Sequence, residues 1–93
     1  MERGITKLGF KAVIINSHTL GHYLDEPQFE PVLAAAEALN VPIYLHPQTP
    51  PPSMIKPFLD AGLDGAVFGF GSETGLHMLR VITGGVFDRH PKL

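Results

Sequence analysis

A single histidine and a cluster of polar side chains each follow a short apolar run of the chain, and they are the residues best suited to chemistry. His46 follows the run at residues 41–45, and the cluster Asn16, Ser17, His18 and Thr19 follows the run at 12–15. A neutral imidazole nitrogen is a common ligand of divalent metals, and amide, hydroxyl and imidazole groups can bind substrate or orient a metal ligand. The pattern makes His46 a candidate metal ligand and Asn16 and His18 candidate substrate contacts.

Each of these residues also has a plainer interpretation. His46 can hydrogen-bond to loop carbonyls ahead of Pro47, and the polar cluster can form an ordinary turn. The chain has no H-x-H or H-E-x-x-H spacing, no nucleophile elbow, no phosphate loop and no dinucleotide-binding fingerprint. For Glu73 an ion pair or helix cap is favoured over a catalytic base, and for His77 packing or capping is favoured over catalysis. The residues alone therefore leave both interpretations open.

The elements that must position these side chains alternate between strand and helix. The β-branched runs at 12–15 and 41–45 lack polar alternation, which predicts two short parallel strands buried on both faces. Pro27 fits the first turn of a helix that stops at Asn40, residues 47–52 form a proline-rich loop, and 53–62 form an irregular helical piece. Residues 66–70 taken alone resemble a strand, but the length of the segment 65–82 favours a helix, which Gly84 and Gly85 close; residues 86–90 form a turn.

This alternation defines the α/β class with parallel strands joined by right-handed crossovers. The carboxyl ends of parallel strands meet at one mouth, where ligands bind. We therefore expect the residues that follow the two strands, including His46 and Asn16, to share that mouth.

Composition excludes several classes of protein and partner. The 93 residues are 44% hydrophobic with a net charge of -2, which describes one soluble globular unit without a basic stripe for nucleic acid. No cysteine is present, so a thiolate metal site is impossible. The first residues are charged, and no apolar run approaches the roughly 18 residues of a membrane span, so we expect a cytoplasmic protein with no membrane partner.

Several motifs make the chain similar to one known family. They are the strand-end sequence YLHP, the segment YLDEPQFEP that leads into a helix, the pattern F-x-x-E-T-x-x-H, and FDRHP. Together they resemble the central part of the amidohydrolase-2 family, which includes the 2,3-dihydroxybenzoate, γ-resorcylate and 5-carboxyvanillate decarboxylases. The resemblance spans nearly all 93 residues and is weakest at residues 48–65.

The resemblance implies that residues 1–93 are a central fragment of a (β/α)8 TIM barrel, about two βα units long. It further implies one divalent metal, zinc in preference to manganese, and decarboxylation of a small hydroxylated aromatic carboxylate. His46 occupies the ligand position of the HP motif, and Phe70 matches a residue that packs against the aromatic substrate. The resemblance also suggests a homo-oligomer.

Other parts of the family's active site have no counterpart in these residues. The acid and histidine ligands of the first strand, the late aspartate ligand and the histidine of the G-H-x-G-E motif are absent. We therefore assign no catalytic residue and expect the segment alone to be inactive. Two alternatives stay open: a hydrolase that uses a metal-activated water, and a non-catalytic module that completes its sheet between chains.

Overall fold

The computed structural model describes all 93 residues and has an α/β arrangement of two strands and five α-helices. The elements in chain order are α1 (Glu2–Thr6), β1 (Val13–Ile15), a 3-10 turn (Pro27–Phe29), α2 (Glu30–Ala38), β2 (Ile43–Leu45), α3 (Lys56–Asp60), α4 (Gly69–Thr83) and α5 (Val86–Arg89). The predicted α/β class with parallel strands is confirmed. No helix is both long enough and apolar enough to span a membrane.

The two strands form a parallel pair in which Val13 is opposite Ile43 and Ile15 is opposite Leu45. The 3-10 turn and α2 form the crossover between them. Pro27 stands in the first turn of this helical segment, where its missing N–H is not needed. Parallel register brings the ends of both strands to the same edge of the sheet.

The hydrophobic core lies between one face of this sheet and the helices. It is built on the buried residues Leu24, Leu33, Val81 and Val86, and Ile15, Ile43 and Leu45 from the strands pack against it. An apolar cavity of about 250 Å³ lies on this side, lined in part by Leu45, Val81 and Leu93. The core therefore fixes which strand residues face the helices.

The prediction that both strand faces are buried is wrong for this chain. Ile14 is 66% exposed and Tyr44, opposite it in the sheet, is 59% exposed. Successive strand residues point to opposite faces, and the helices of this chain cover only one of them. The lack of polar alternation predicted the two strands correctly, but it did not show that one strand face would be uncovered in these 93 residues.

Helix α4 begins at Gly69, four residues later than predicted, because residues 65–68 form turns. Its buried stripe repeats every four residues: Gly69, Glu73, His77 and Val81. A Cβ atom at Gly69 would lie 2.3 Å from the carbonyl oxygen of Asp64, so the close approach at this point requires glycine. The segment predicted as a turn at 86–90 contains the short helix α5.

Candidate metal-ligand and substrate site

His46 and Asn16 lie side by side at the carboxyl edge of the sheet. Ile15 pairs with Leu45, so Asn16 and His46 are the next residues along the two strands. The main-chain N–H of His46 donates to the carbonyl of Ile15 over 2.8 Å, which continues the ladder past the strands. Side-chain alternation places both residues on the face that the helices leave uncovered. The structure thus brings together two of the four predicted site residues.

The imidazole of His46 is held in a form that suits a metal ligand. Its Nδ1 lies 2.9 Å from the carbonyl oxygen of Pro47. A carbonyl only accepts, so Nδ1 carries the proton, and Nε2 of the neutral ring keeps its lone pair. A backbone carbonyl on the other ring nitrogen is a usual way to fix a metal-binding histidine. The contact to a loop carbonyl, expected as the alternative to metal binding, is therefore compatible with it.

The chain offers only this one strand-end ligand. No group of three or more His, Cys, Asp or Glu side chains is arranged to hold a metal ion. His46 is exposed, and no carboxylate hydrogen-bonds to its ring. The residues fit a metal as a partial site, which needs ligands from elsewhere.

His18 joins the loops that follow the two strands. Its Nδ1 accepts from the main-chain N–H of Gly21, so its Nε2–H donates to the carbonyl of Thr49, both over 3.0 Å. Main-chain partners therefore occupy both ring nitrogens. Substrate contact by His18 stays a prediction. Because both ring nitrogens are occupied, such a contact would be made by the faces of the imidazole ring.

Phe70 lies in the first turn of α4 and is half-buried. The aromatic pairs of this region join Phe58 with Phe68 and do not include Phe70, so its ring is not stacked on another. The role of Phe70 at the substrate stays a prediction, as does that of the exposed side chain of Asn16.

Sequence reasoning missed a buried polar cluster of Ser17, Glu73 and His77. The Oγ of Ser17 lies 2.6 Å from Oε1 of Glu73 and 3.0 Å from Nδ1 of His77. The Nε2 of His77 accepts from the main-chain N–H of Leu24 over 3.0 Å. A neutral His77 therefore donates from Nδ1 to Ser17, whose hydroxyl donates in turn to Glu73.

The surroundings keep His77 neutral. Burial lowers the pKa of its imidazole below the ordinary value, against the opposing charge of Asp25. The ring of Tyr23 meets it edge to face, with the two centroids 5.0 Å apart. A signal for the cluster existed in the sequence, because Glu73 and His77 stand four apart between Gly69 and Val81 and so share one helical face.

Comparison with known proteins identifies the family to which the chain belongs. The model of the amidohydrolase family matches residues 1–93. The chain is 58% identical to 5-carboxyvanillate decarboxylase from Novosphingobium aromaticivorans, whose crystal structure contains manganese and 3-methoxy-4-hydroxy-5-nitrobenzoic acid; the TM-score is 0.97 over 99% of this chain and 26% of that one. It is 34% identical to 2,6-dihydroxybenzoate decarboxylase from Rhizobium, with a TM-score of 0.90 over 99% of this chain and 31% of that one.

A curated relative gives the same result from sequence. The chain is 36% identical over its whole length to γ-resorcylate decarboxylase from Polaromonas, of which it covers 31%. The chain belongs to the amidohydrolase family, as its motifs indicated. It spans less than a third of the length of the relatives it matches.

Proposed function

We propose that these 93 residues are the central part of a (β/α)8-barrel decarboxylase that removes the carboxylate of a hydroxylated aromatic acid with the aid of a divalent metal. The observation that carries the proposal is His46, which stands at the end of a parallel strand with its Nδ1 on a backbone carbonyl, so that Nε2 of the neutral ring is left to bind a metal. The likeness to decarboxylases whose structures contain manganese supports it.

His46 would hold the metal through Nε2, and Asn16 beside it would contact substrate or the metal's surroundings. When bound, a divalent metal polarises and orients the oxygens of an aromatic carboxylate and of an adjacent phenol. The exposed face of the strands, with Ile14 and Tyr44, would form part of the barrel interior below this mouth. Phe70 would pack against the aromatic ring. The proton that replaces the carboxylate would come from a residue outside this segment.

The preference for zinc over manganese is revised. The crystal structures of two relatives, from Novosphingobium and from Polaromonas, contain manganese. A histidine nitrogen can bind either metal, so the other ligands of the site determine which metal is bound. We therefore propose manganese as the first metal to test.

The test needs a whole-barrel protein: a longer chain that contains these residues, or a chimera in which they replace the matching 26% of the Novosphingobium decarboxylase. The first substrate is 5-carboxyvanillate, because identity to that enzyme, 58%, exceeds identity to the dihydroxybenzoate enzymes, 34% and 36%. We expect carbon dioxide release that a chelator abolishes and manganese restores. Decarboxylation that survives complete metal removal, or hydrolysis without carbon dioxide release, would contradict the proposal.

A matched pair of histidine variants checks the ligand. His46→Ala should lower kcat/KM at least about 100-fold, since even residues that only hydrogen-bond to a ligand cost 10 to 100-fold. His22→Ala removes an exposed loop histidine that pairs with Glu26 and should leave the activity within about threefold of wild type. Equal effects of the two substitutions would argue against His46 as ligand. The homo-oligomer stays a prediction, which light scattering on the whole-barrel protein tests.

A further inference from the structure

We propose that Ser17, Glu73 and His77 are positioning residues that set the main-chain direction of the metal ligand His46. The inference rests on the proposed metal role of His46. Its basis is a continuous set of hydrogen bonds from α4 to the end of β2. None of the three side chains needs to touch metal or substrate.

The last link in this set is the carbonyl oxygen of Ile15. It accepts the N–H of His46 from the neighbouring strand and the N–H of Ser17 from two residues further along its own chain, each over 2.8 Å. The second bond closes a tight three-residue turn around Asn16. The conformation of Ser17 therefore orients the acceptor that holds the backbone of His46.

Ser17 has a backbone conformation that is unfavourable for serine. Its φ is +37°, in the left-handed region that residues other than Gly, Asn and Asp rarely enter. A residue persists there only when its surroundings determine it. Ser17 is 1% exposed, and its hydroxyl makes two side-chain hydrogen bonds, both to α4.

These two bonds have a defined direction. The main-chain N–H of Leu24 donates to Nε2 of His77, which leaves Nδ1–H to donate to Ser17 and the hydroxyl of Ser17 to donate to Glu73. Glu73 and His77 have no exposed surface. Fully paired buried networks of this kind are rigid, because each unpaired group would be costly. Helix α4 thus holds the turn after β1, and that turn holds the end of β2.

The experiment measures manganese affinity of the whole-barrel protein by titration calorimetry or by electron paramagnetic resonance. His77→Asn keeps an amide N–H near the place of Nδ1 and thus the bond to Ser17. His77→Gln keeps an oxygen near the place of Nε2 and thus the bond from Leu24. Each variant loses one of the two hydrogen bonds that His77 makes, so we expect the two variants to lose similar amounts of folding stability.

We expect Ser17→Ala and His77→Gln to weaken manganese binding about tenfold, the lower end of effects for residues that support a metal ligand indirectly. His77→Asn and Glu73→Gln, which keep partners for the Ser17 hydroxyl, should stay within about threefold of wild type. Ser17→Gly relieves the left-handed backbone, so it keeps the test open if Ser17→Ala does not fold. It should still weaken binding because the hydroxyl is gone.

Wild-type manganese affinity in both Ser17→Gly and His77→Gln would overturn the inference while leaving the proposed function intact. Equal losses in His77→Asn and His77→Gln, in step with their thermal midpoints, would also overturn it, because a purely structural role predicts that result. A wild-type protein that binds neither manganese nor zinc would overturn the proposed function as well. The two failures are therefore distinguishable.

Discussion

Arg80 of α4 and Asp25 of the loop before α2 form a two-point ion pair. Nε of Arg80 lies 2.9 Å from Oδ1 of Asp25, and Nη2 lies 3.1 Å from Oδ2. The same guanidinium lies over the ring of Tyr23, 4.7 Å from its centroid, and Tyr23 meets His77 edge to face. The pair therefore ties the loop at residues 20–26 to the helix that carries the buried polar cluster.

Replacing Arg80 by Lys should lower the free energy of unfolding of the whole-barrel protein by about 1 kcal/mol. Lysine keeps the charge but loses the two-point geometry and the stacking of the guanidinium on Tyr23. Urea denaturation measures the loss. Lys56→Ala is the control, because its pair with Asp60 is well exposed, and it should change stability by at most about 0.5 kcal/mol. A larger loss from the control would contradict this ranking.

His90 makes stability depend on pH. Its Nε2 contacts Glu30 and its Nδ1 contacts Glu37, and these carboxylates raise the pKa of the imidazole above 6.5, Glu30 contributing most. The contact with His90, followed by that with Arg89, holds the pKa of Glu30 below 4.5, and the main-chain N–H of Lys92, followed by the contact with His90, does the same for Glu37.

A raised histidine pKa stabilises the fold fully below 6.5, and the stabilisation disappears as pH rises through the folded pKa. The carboxylates contribute above 4.5 and lose their contribution as pH falls through their folded values. The cluster should therefore stabilise most between these two limits. We expect the urea midpoint of wild type to exceed that of His90→Gln clearly at pH 6 and by less at pH 9. An unchanged difference between the two pH values would be inconsistent with a charged His90.

Leu33 tests the position of the core. It is 1% exposed and belongs to the central apolar cluster, so Leu33→Ala should cost about 2 to 5 kcal/mol of unfolding free energy. Leu20→Ala makes the same chemical change at a side chain that is 91% exposed, and it should cost no more than about 0.5 kcal/mol. Denaturant unfolding measures the loss of unfolding free energy in each variant. Similar losses in both would contradict the assignment of Leu33 to the core.

The 93-residue chain alone should not bind manganese or zinc tightly. Metal sites in proteins need about three protein ligands, and this chain has no cluster of three donor side chains. Calorimetric titration of the isolated chain should show no saturable uptake at submicromolar metal. Stoichiometric submicromolar binding would show that His46 finds further ligands within the chain.

Much of the local structure was predictable because it depends on near neighbours in the sequence. The β-branched runs without polar alternation predicted β1 and β2, and Pro27 marked the start of the helical segment. The position of His46 directly after β2 made it the candidate ligand. The parallel arrangement follows from the helix between the strands, which must return the chain to the same edge. The placement of Asn16 beside His46 follows from the same argument, and the register confirms it.

Other features depend on contacts between residues far apart in the chain, and only the tertiary structure decided them. Burial of one strand face depends on which elements cover it, so the sequence pattern of Ile14 and Tyr44 could not show their exposure. The polar cluster joins Ser17 to Glu73 and His77 across 56 and 60 positions, and no local propensity reports such a meeting. Glu73 and His77 were expected to cap or to pack. Because α4 packs against the turn after β1, they instead hydrogen-bond to Ser17, whose backbone is in the left-handed region. The sequence by itself determined the elements, the family motifs and the strand-end histidine; the packing of distant elements decided what surrounds them, because burial and hydrogen-bond partners are properties of the assembled fold.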